Sequence, residues 1–130
     1  MDKKRILLID DEAAFTRVLQ SYLERTGRYE VRTENRGAEA LTAARAFRPD
    51  LILLDIIMPD LDGAQVADAL KADAELQHVP IVFLTAVASR DEVRAHGGVI
   101  GGQQFMAKPV SAREVLTCIE LQLGGLPVPN

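Results

Sequence analysis

A single cysteine, Cys118, excludes an internal disulfide and any metal site built from several thiolates. Long apolar runs are missing as well. The N-terminal stretch MDKKRILLIDDE stops being apolar after four residues, at Asp10, which is too short for a signal peptide. Nothing elsewhere approaches the roughly 18 apolar residues of a membrane span. Positive charge is in deficit, with 15 Lys and Arg against 19 Asp and Glu and a net charge of −4. Phosphate backbones are bound by clustered cations, so neither nucleic acid nor membrane is expected as a partner. Internal repeats and low-complexity segments are absent too. What remains is ordinary globular composition, 48% hydrophobic and 26% charged, in 130 residues that suit one domain with a proper core. These features predict a soluble, cytoplasmic protein.

Short apolar runs alternate with helical patterns along the chain. RILLI (5–9), DLILL (50–54) and PIVFL (80–84) are continuous rather than alternating, as in strands covered on both faces. YEVRT (29–33) alternates and suits an edge strand, and QQFMA (103–107) is a weaker candidate for another edge. In 12–26, Phe15, Val18, Leu19, Tyr22 and Leu23 form one apolar helical face. Ala40, Leu41, Ala44 and Phe47 do the same before Pro49, and Val66, Ala67 and Leu70 follow Gly63. SRDE (89–92) and SARE (111–114) are capping-box patterns, the second opening a helix with Val115, Leu116, Ile119 and Leu123. The order β-α repeated five times predicts an α/β, flavodoxin-like (βα)5 three-layer sandwich with a parallel sheet of order 2-1-3-4-5.

Ligands of such sheets bind at the carboxyl ends of the strands, beside the switch point between the first and third. The first strand ends in Asp10, Asp11 and Glu12, the third in Asp55, the fourth in Thr85, and the fifth in Lys108 followed by Pro109. Converging carboxylates repel one another and cannot all ionise without a cation. Hard oxygen ligands suit Mg²⁺, which commonly joins carboxylates to a phosphate. Lys108 adds a positive charge and Thr85 a hydroxyl, so together they would suit a phosphoryl group. Taken singly, Asp10 and Asp11 read equally well as a turn or helix cap, Thr85 as a structural hydroxyl and Lys108 as surface. Their shared edge is what argues otherwise. In LILLDIIMPDLDG, Met58-Pro59 and Asp62-Gly63 shape the loop after Asp55, with Gly63 near a helix start.

The acidic pair in LLIDDE, the acceptor in LDIIMPDLDG, the hydroxyl in FLTA and the lysine in AKP occur in order and at suitable spacing. Through them, about 120 of the 130 residues resemble a receiver (response-regulator) domain of two-component signalling, of the single-domain chemotaxis-regulator kind. The resemblance implies that Asp55 accepts a phosphoryl group from a histidine kinase or histidine phosphotransfer protein. It further implies that Asp11, Asp55 and the Ile57 carbonyl ligate Mg²⁺, with Asp10 acting through a bound water. Thr85 and Lys108 would bind phosphoryl oxygens. Phe105 would turn inward behind a repositioned Thr85 and switch a partner surface made by the fourth helix, fifth strand and fifth helix; its plainer alternative is a core aromatic. Ile57 and Val87, both apolar, flank the acceptor and imply a slowly hydrolysed phosphoryl group, while the small Ala86 leaves the acceptor accessible. A downstream protein target, and a dimer formed on activation, belong to the same expectation; neither the target nor the cognate kinase is named by the residues.

Rival classes fit less well. A haloacid-dehalogenase-type phosphatase needs a second carboxylate two residues after its nucleophile, where this chain has Ile57, and room for a substrate cap. Nucleotide binding and flavodoxin-like electron transfer both need a phosphate loop after the first strand, where Asp-Asp-Glu stands. A pseudo-receiver, which keeps the fold without being phosphorylated, shares every element of the pattern. The stretch GGVIGGQQFMAKP (97–109) is not a Walker-type loop, since Gln103 takes the lysine's place. Gly97 and Gly98 are poor helix residues, so the fourth helix is expected to run from the Ser89 cap to near His96, with a loop through Gly102. The domain is expected over 1–123, with 124–130 a tail. Such an ending suggests a single-domain regulator or phosphorelay shuttle, though a segment cut from a longer protein would read the same.

Overall fold

The computed structural model describes residues 3–85, 99–100, 103–108 and 110–124. The elements are β1 (Lys4–Ile9), α1 (Ala13–Arg25), β2 (Tyr29–Glu34) and a 3-10 turn (Gly37–Glu39) running into α2 (Ala40–Phe47). They continue with β3 (Leu51–Asp55), α3 (Gly63–Ala72), β4 (Ile81–Thr85), β5 (Val99–Ile100), β6 (Gln103–Ala107) and α4 (Ala112–Gln122). The sheet order is β2-β1-β3-β4-β6-β5. All pairings are parallel except β5 with β6, so the parallel part has the expected 2-1-3-4-5 order. The α4 helix is the fifth of the sequence pattern; the fourth, with Ser89 and His96, falls outside the described residues, as do Ala86, Val87 and Pro109.

The continuous apolar strands are explained by a core on each face of the sheet. Leu7, Ile9, Ile52, Leu54, Ile81 and Phe83 point to one side, where they meet Ala40, Ala44, Val66 and Leu70 of α2 and α3. Their neighbours Ile6, Leu8, Leu51, Leu53, Val82 and Leu84 point to the other, against Leu19, Leu23, Val115 and Ile119 of α1 and α4. Successive side chains alternate faces, so only strands covered on both sides can be apolar throughout. At the edge, β2 alternates buried and exposed residues over Tyr29–Arg32 and needs cover on one face only.

Local signals set the helix ends. Ser111 accepts from the Glu114 N–H at 3.1 Å while the Glu114 carboxylate accepts from the Ser111 N–H at 3.1 Å, completing the capping box of α4. Asp62 caps α3 by accepting from the Ala64 N–H at 2.8 Å. The α2 helix stops at Arg48, which takes the left-handed conformation (φ 54°) immediately before Pro49.

Two expectations need correction. Val18 is 64% exposed and does not belong to the buried face of α1. That face is centred on Thr16, Leu19 and Leu23, with Phe15 and Tyr22 at its flank. Val18 lies about 130° round the helix from its centre. Residues 99–100 are not loop: Val99 and Ile100 pair antiparallel with Gln104 and Gln103. Both are β-branched, and a Gly-Gly pair between two extended runs is a hairpin signal that reading the glycines only as helix breakers overlooks. The first two residues of β6 are therefore paired at its outer edge.

Removing a side chain buried between sheet and helices should cost far more than removing one outside the stripe. Leu53→Ala should lower the unfolding free energy by about 2–5 kcal/mol. Val18→Ala should change it by no more than about 0.5 kcal/mol. Urea unfolding reads both, and equal losses would contradict this assignment of faces.

Candidate functional site

The parallel strands β1, β3, β4 and β6 all point their carboxyl ends to one edge of the sheet, which brings Asp10, Asp55, Thr85 and Lys108 together. Asp10 follows β1, Asp55 closes β3, Thr85 closes β4 and Lys108 follows β6. Asp10 (1% exposed), Asp55 (5%) and Thr85 (2%) are buried, while Asp11 and Glu12 stand at the exposed rim. Backbone hydrogen bonds join the strand ends. The Lys108 N–H donates to the Thr85 carbonyl at 2.7 Å, and the Ile56 N–H to the Leu84 carbonyl at 3.0 Å.

Lys108 is the hub. Its Nζ lies 2.7 Å from Asp10 Oδ2, 2.9 Å from Glu12 Oε1 and 3.6 Å from Asp55 Oδ1. It also lies 5.2 Å from the centre of the Phe15 ring, a cation–π contact. Burial alone would lower the lysine's pKa, but the hydrogen bonds to Asp10 and Glu12 and the charges of Asp10 and Asp55 reverse that and raise it. Asp55 is pushed up to about 6, first by burial and then by the neighbouring Asp10 charge, against which Lys108 pulls down. Burial also raises Asp10, in spite of Lys108 and the Glu12 N–H. One lysine does not fully offset this many carboxylates.

One oxygen from each of Asp10, Asp11 and Asp55 lies within 4.8 Å of the others, a set that could hold a metal ion. The fit to a hard cation rests on Asp10 Oδ2. It is sealed from solvent, and the positive charge that faces it at 2.7 Å, Lys108 Nζ, is shared with Glu12 and Asp55. Oxygen donors around an excess of negative charge match the preference of Mg²⁺.

The remaining expected residues fall around this centre. Ile57 follows Asp55 in the β3–α3 loop and is 60% exposed. Phe105 in β6 is half-buried and stacks on Phe83 with ring centres 5.2 Å apart. Val87 lies outside the described residues.

The loop carrying Ile57 is held tightly. The Gly63 N–H donates to the Ile56 carbonyl at 2.6 Å. A Cβ on Gly63 would collide with the Asp55 carbonyl oxygen and stand 2.6 Å from Ile56 Cα, so only glycine lets α3 begin so close to the acceptor strand. Asp60 accepts from the Gly37 and Ala38 N–H groups at 3.1 and 3.0 Å, and these bonds, ahead of any charge effect, lower its pKa. Asp60, Phe15 and Asn35 are contributors that the strand-end pattern did not name, and Glu12, named at the end of the first strand, proves to be a direct partner of Lys108. Asn35 directly follows β2, so the rule that located the other strand ends covers it too.

Fold and site thus define a doubly wound α/β domain with an acidic, lysine-bridged site at its switch point. Residues 6–120 match the family profile of the response regulator receiver domain, and the chain belongs to that family, a signalling domain of two-component systems. Over 122 residues it is 37% identical to the polar-differentiation response regulator DivK of Brucella anthropi, covering 93% of this chain and 97% of that one. The Brucella ovis protein of the same name is 35% identical over the same length. Among solved structures, chemotaxis protein CheY4 of Vibrio cholerae superposes with a TM-score of 0.77 at 27% identity, covering 92% of this chain and 98% of that one. A response regulator of Chloroflexus aurantiacus gives 0.78 at 26% identity, covering 95% and 99%. No helix among the described residues is long and apolar enough to cross a membrane.

The site has two measurable consequences. Gly63→Ala should destabilise the fold by about 1–3 kcal/mol, the usual cost of forcing atoms into packed space, read from urea unfolding. The second concerns pH. Asp55 holds its proton more tightly in the folded chain, so its stabilising contribution is complete below pH about 4 and is lost as pH rises through about 6. In metal-free buffer, wild type should lose on the order of 1–2 kcal/mol relative to Asp55→Asn between these pH values. Parallel pH profiles for the two would contradict the assignment.

Proposed function

We propose that this chain is a phosphoacceptor response regulator. Asp55 would take a phosphoryl group from the phosphohistidine of a histidine kinase or histidine phosphotransfer protein. The observation that carries the reading is the meeting of Asp55 with Asp10, Asp11 and Lys108 at one edge of the sheet. In the transfer, an Asp55 carboxylate oxygen attacks phosphorus in line, the P–N bond to the donor imidazole breaks, and an acyl phosphate results. Catalysis of such a step is mainly positioning and charge stabilisation.

Each group has a part in this reading. Asp55 is pinned at the end of a buried strand, so its carboxylate is presented in one direction. Lys108, 3.6 Å from it, pairs with the phosphoryl oxygens once they arrive, and the Thr85 hydroxyl donates to another. Asp11, Asp55 and the Ile57 carbonyl would hold Mg²⁺, with Asp10 through a bound water; the ion's contribution is to offset the negative charge gathered on carboxylates and phosphoryl oxygens. The stacked Phe105–Phe83 pair lies in the strands that carry Lys108 and Thr85, so their movement would be felt at Phe105. A changed Phe105 environment would alter the partner face formed with α4 and present it to a downstream protein in the cytoplasm.

Ile57 adds a lifetime. It projects apolar surface beside the acceptor and cannot hydrogen-bond an attacking water. The acyl phosphate should therefore be long-lived for the family, an effect that the resemblance also assigns to the apolar Val87.

Incubation with acetyl phosphate and Mg²⁺ should add about 80 Da, one phosphoryl group, detected by intact-mass spectrometry. The adduct should vanish in Asp55→Asn. A wild-type protein that never gains it would instead be a pseudo-receiver, and an adduct that persists in Asp55→Asn would place the acceptor elsewhere. Ile57→Asn should shorten the adduct's half-life severalfold; rapid decay in wild type, unchanged in Ile57→Asn, would overturn the lifetime assignment.

A further inference from the structure

We propose that Asn35 is a positioning residue for the carboxylates Asp10 and Asp11, an inference that rests on the metal-binding reading above. Asn35 Nδ2 donates to the backbone carbonyl of Asp10 at 2.7 Å and to Thr16 Oγ1 at 3.1 Å. The chemistry of the partners settles which way the amide faces. A carbonyl oxygen can only accept, and the Thr16 hydroxyl already donates its one hydrogen to the Ala13 carbonyl at 3.0 Å, so it too must accept. Both amide hydrogens of Asn35 are used.

One side chain thereby joins three pieces of chain. They are the end of β2, the turn after β1, and the first turn of α1, where Thr16 is only 2% exposed. The main chain of Asp10 is gripped on both sides from this edge strand, because its N–H donates to the Glu34 carbonyl at 3.1 Å and its carbonyl accepts from Asn35. A third bond, from the Glu12 N–H to Asp10 Oδ1 at 3.0 Å, orients the carboxylate itself.

The Asp10 carbonyl and the Asp11 N–H share one rigid peptide plane. Fixing that carbonyl therefore fixes the direction in which the chain enters Asp11. The constraint has work to oppose, since Asp11 sits in a cluster of like charges and is exposed, with open solvent into which it could retreat. Without Asn35 the turn would relax outward. A cation would then have to draw Asp11 back, and part of its binding energy would go into that rearrangement.

The test is a titration of the full chain with MgCl₂, following the Asp11 amide by ¹⁵N NMR, beside urea unfolding of the same proteins without metal. Asn35→Leu keeps the branched shape but has no donor. It should weaken Mg²⁺ binding roughly tenfold, within the range that outer partners of metal ligands contribute. Thr16→Val removes the second acceptor, together with the hydroxyl's own bond to the Ala13 carbonyl, but leaves the Asn35–Asp10 bond and should weaken binding less. A purely structural role would lower the unfolding midpoint and leave the affinity of the folded protein unchanged. That outcome overturns the proposal, as does a Thr16→Val loss that exceeds the Asn35→Leu loss. Should Asn35→Leu not fold, Asn35→Ser, too short to reach both partners, is judged by the same criteria. A wild-type protein whose Asp11 amide ignores Mg²⁺ overturns the metal-binding reading itself, and this proposal with it.

Discussion

Like charges crowded at the carboxyl edge of a parallel sheet are the constraint around which this molecule is organised. Asp10 and Asp55 are almost wholly buried, Asp11 and Glu12 crowd the rim, and one ammonium group, Lys108 Nζ, stands among them. Burying carboxylates this close together is costly unless a cation compensates them. Burial first and the Asp10 charge second outweigh the lysine, which is why Asp55 holds its proton to about pH 6. A site poised in this way has an unmet demand for positive charge.

The rest of the fold can be understood as what keeps that cluster from relaxing. The strands that carry Asp10 and Asp55 are clamped between two apolar layers, so the carboxylates cannot withdraw along the chain. The loop after Asp55 is pulled in by Gly63, whose missing side chain lets α3 start against the acceptor strand. Asp60 ties the same loop to the 3-10 turn through the Gly37 and Ala38 amides. On Gly37, a Cβ would stand 3.0 Å from Leu61 Cβ and 3.2 Å from Met58 Cε, so these two loops also meet closely. Just before the 3-10 turn, Glu34 and Asn35 hold the Asp10 turn. Rigid support on both sides is how a small domain can keep repelling groups at short range.

Much of this was legible in the chain before its fold was known. Continuous apolar runs marked β1, β3 and β4 because both faces of those strands are covered, and the alternation of Tyr29–Arg32 marked an edge. The Ser111–Glu114 capping box and the Asp62-Gly63 start were visible because helix ends are decided by residues a few positions apart. Val18 misled for a geometric reason: its spacing admits it to an apolar stripe, but the side on which the helix meets the sheet lies nearer Thr16. Val99 and Ile100 misled because their strand character depends on pairing with Gln103 and Gln104. Asn35 gave no apolar or acidic signal, since an asparagine after a strand reads first as turn chemistry.

The amino-acid sequence by itself determined the order of elements, the parallel sheet and the set of acidic, hydroxyl and ammonium groups at one edge. Each of these follows from local periodicity and from the rule that parallel strands end on the same side. Only the tertiary structure decided how those groups share charge: that Lys108 lies nearer Asp10 and Glu12 than Asp55, and that an Asp10 oxygen is sealed from solvent. It alone decided that Asn35 reaches across from β2 to hold the turn. Distances between residues tens of positions apart depend on how sheets and helices seat against one another, and electrostatic balance changes within a single ångström of such a distance.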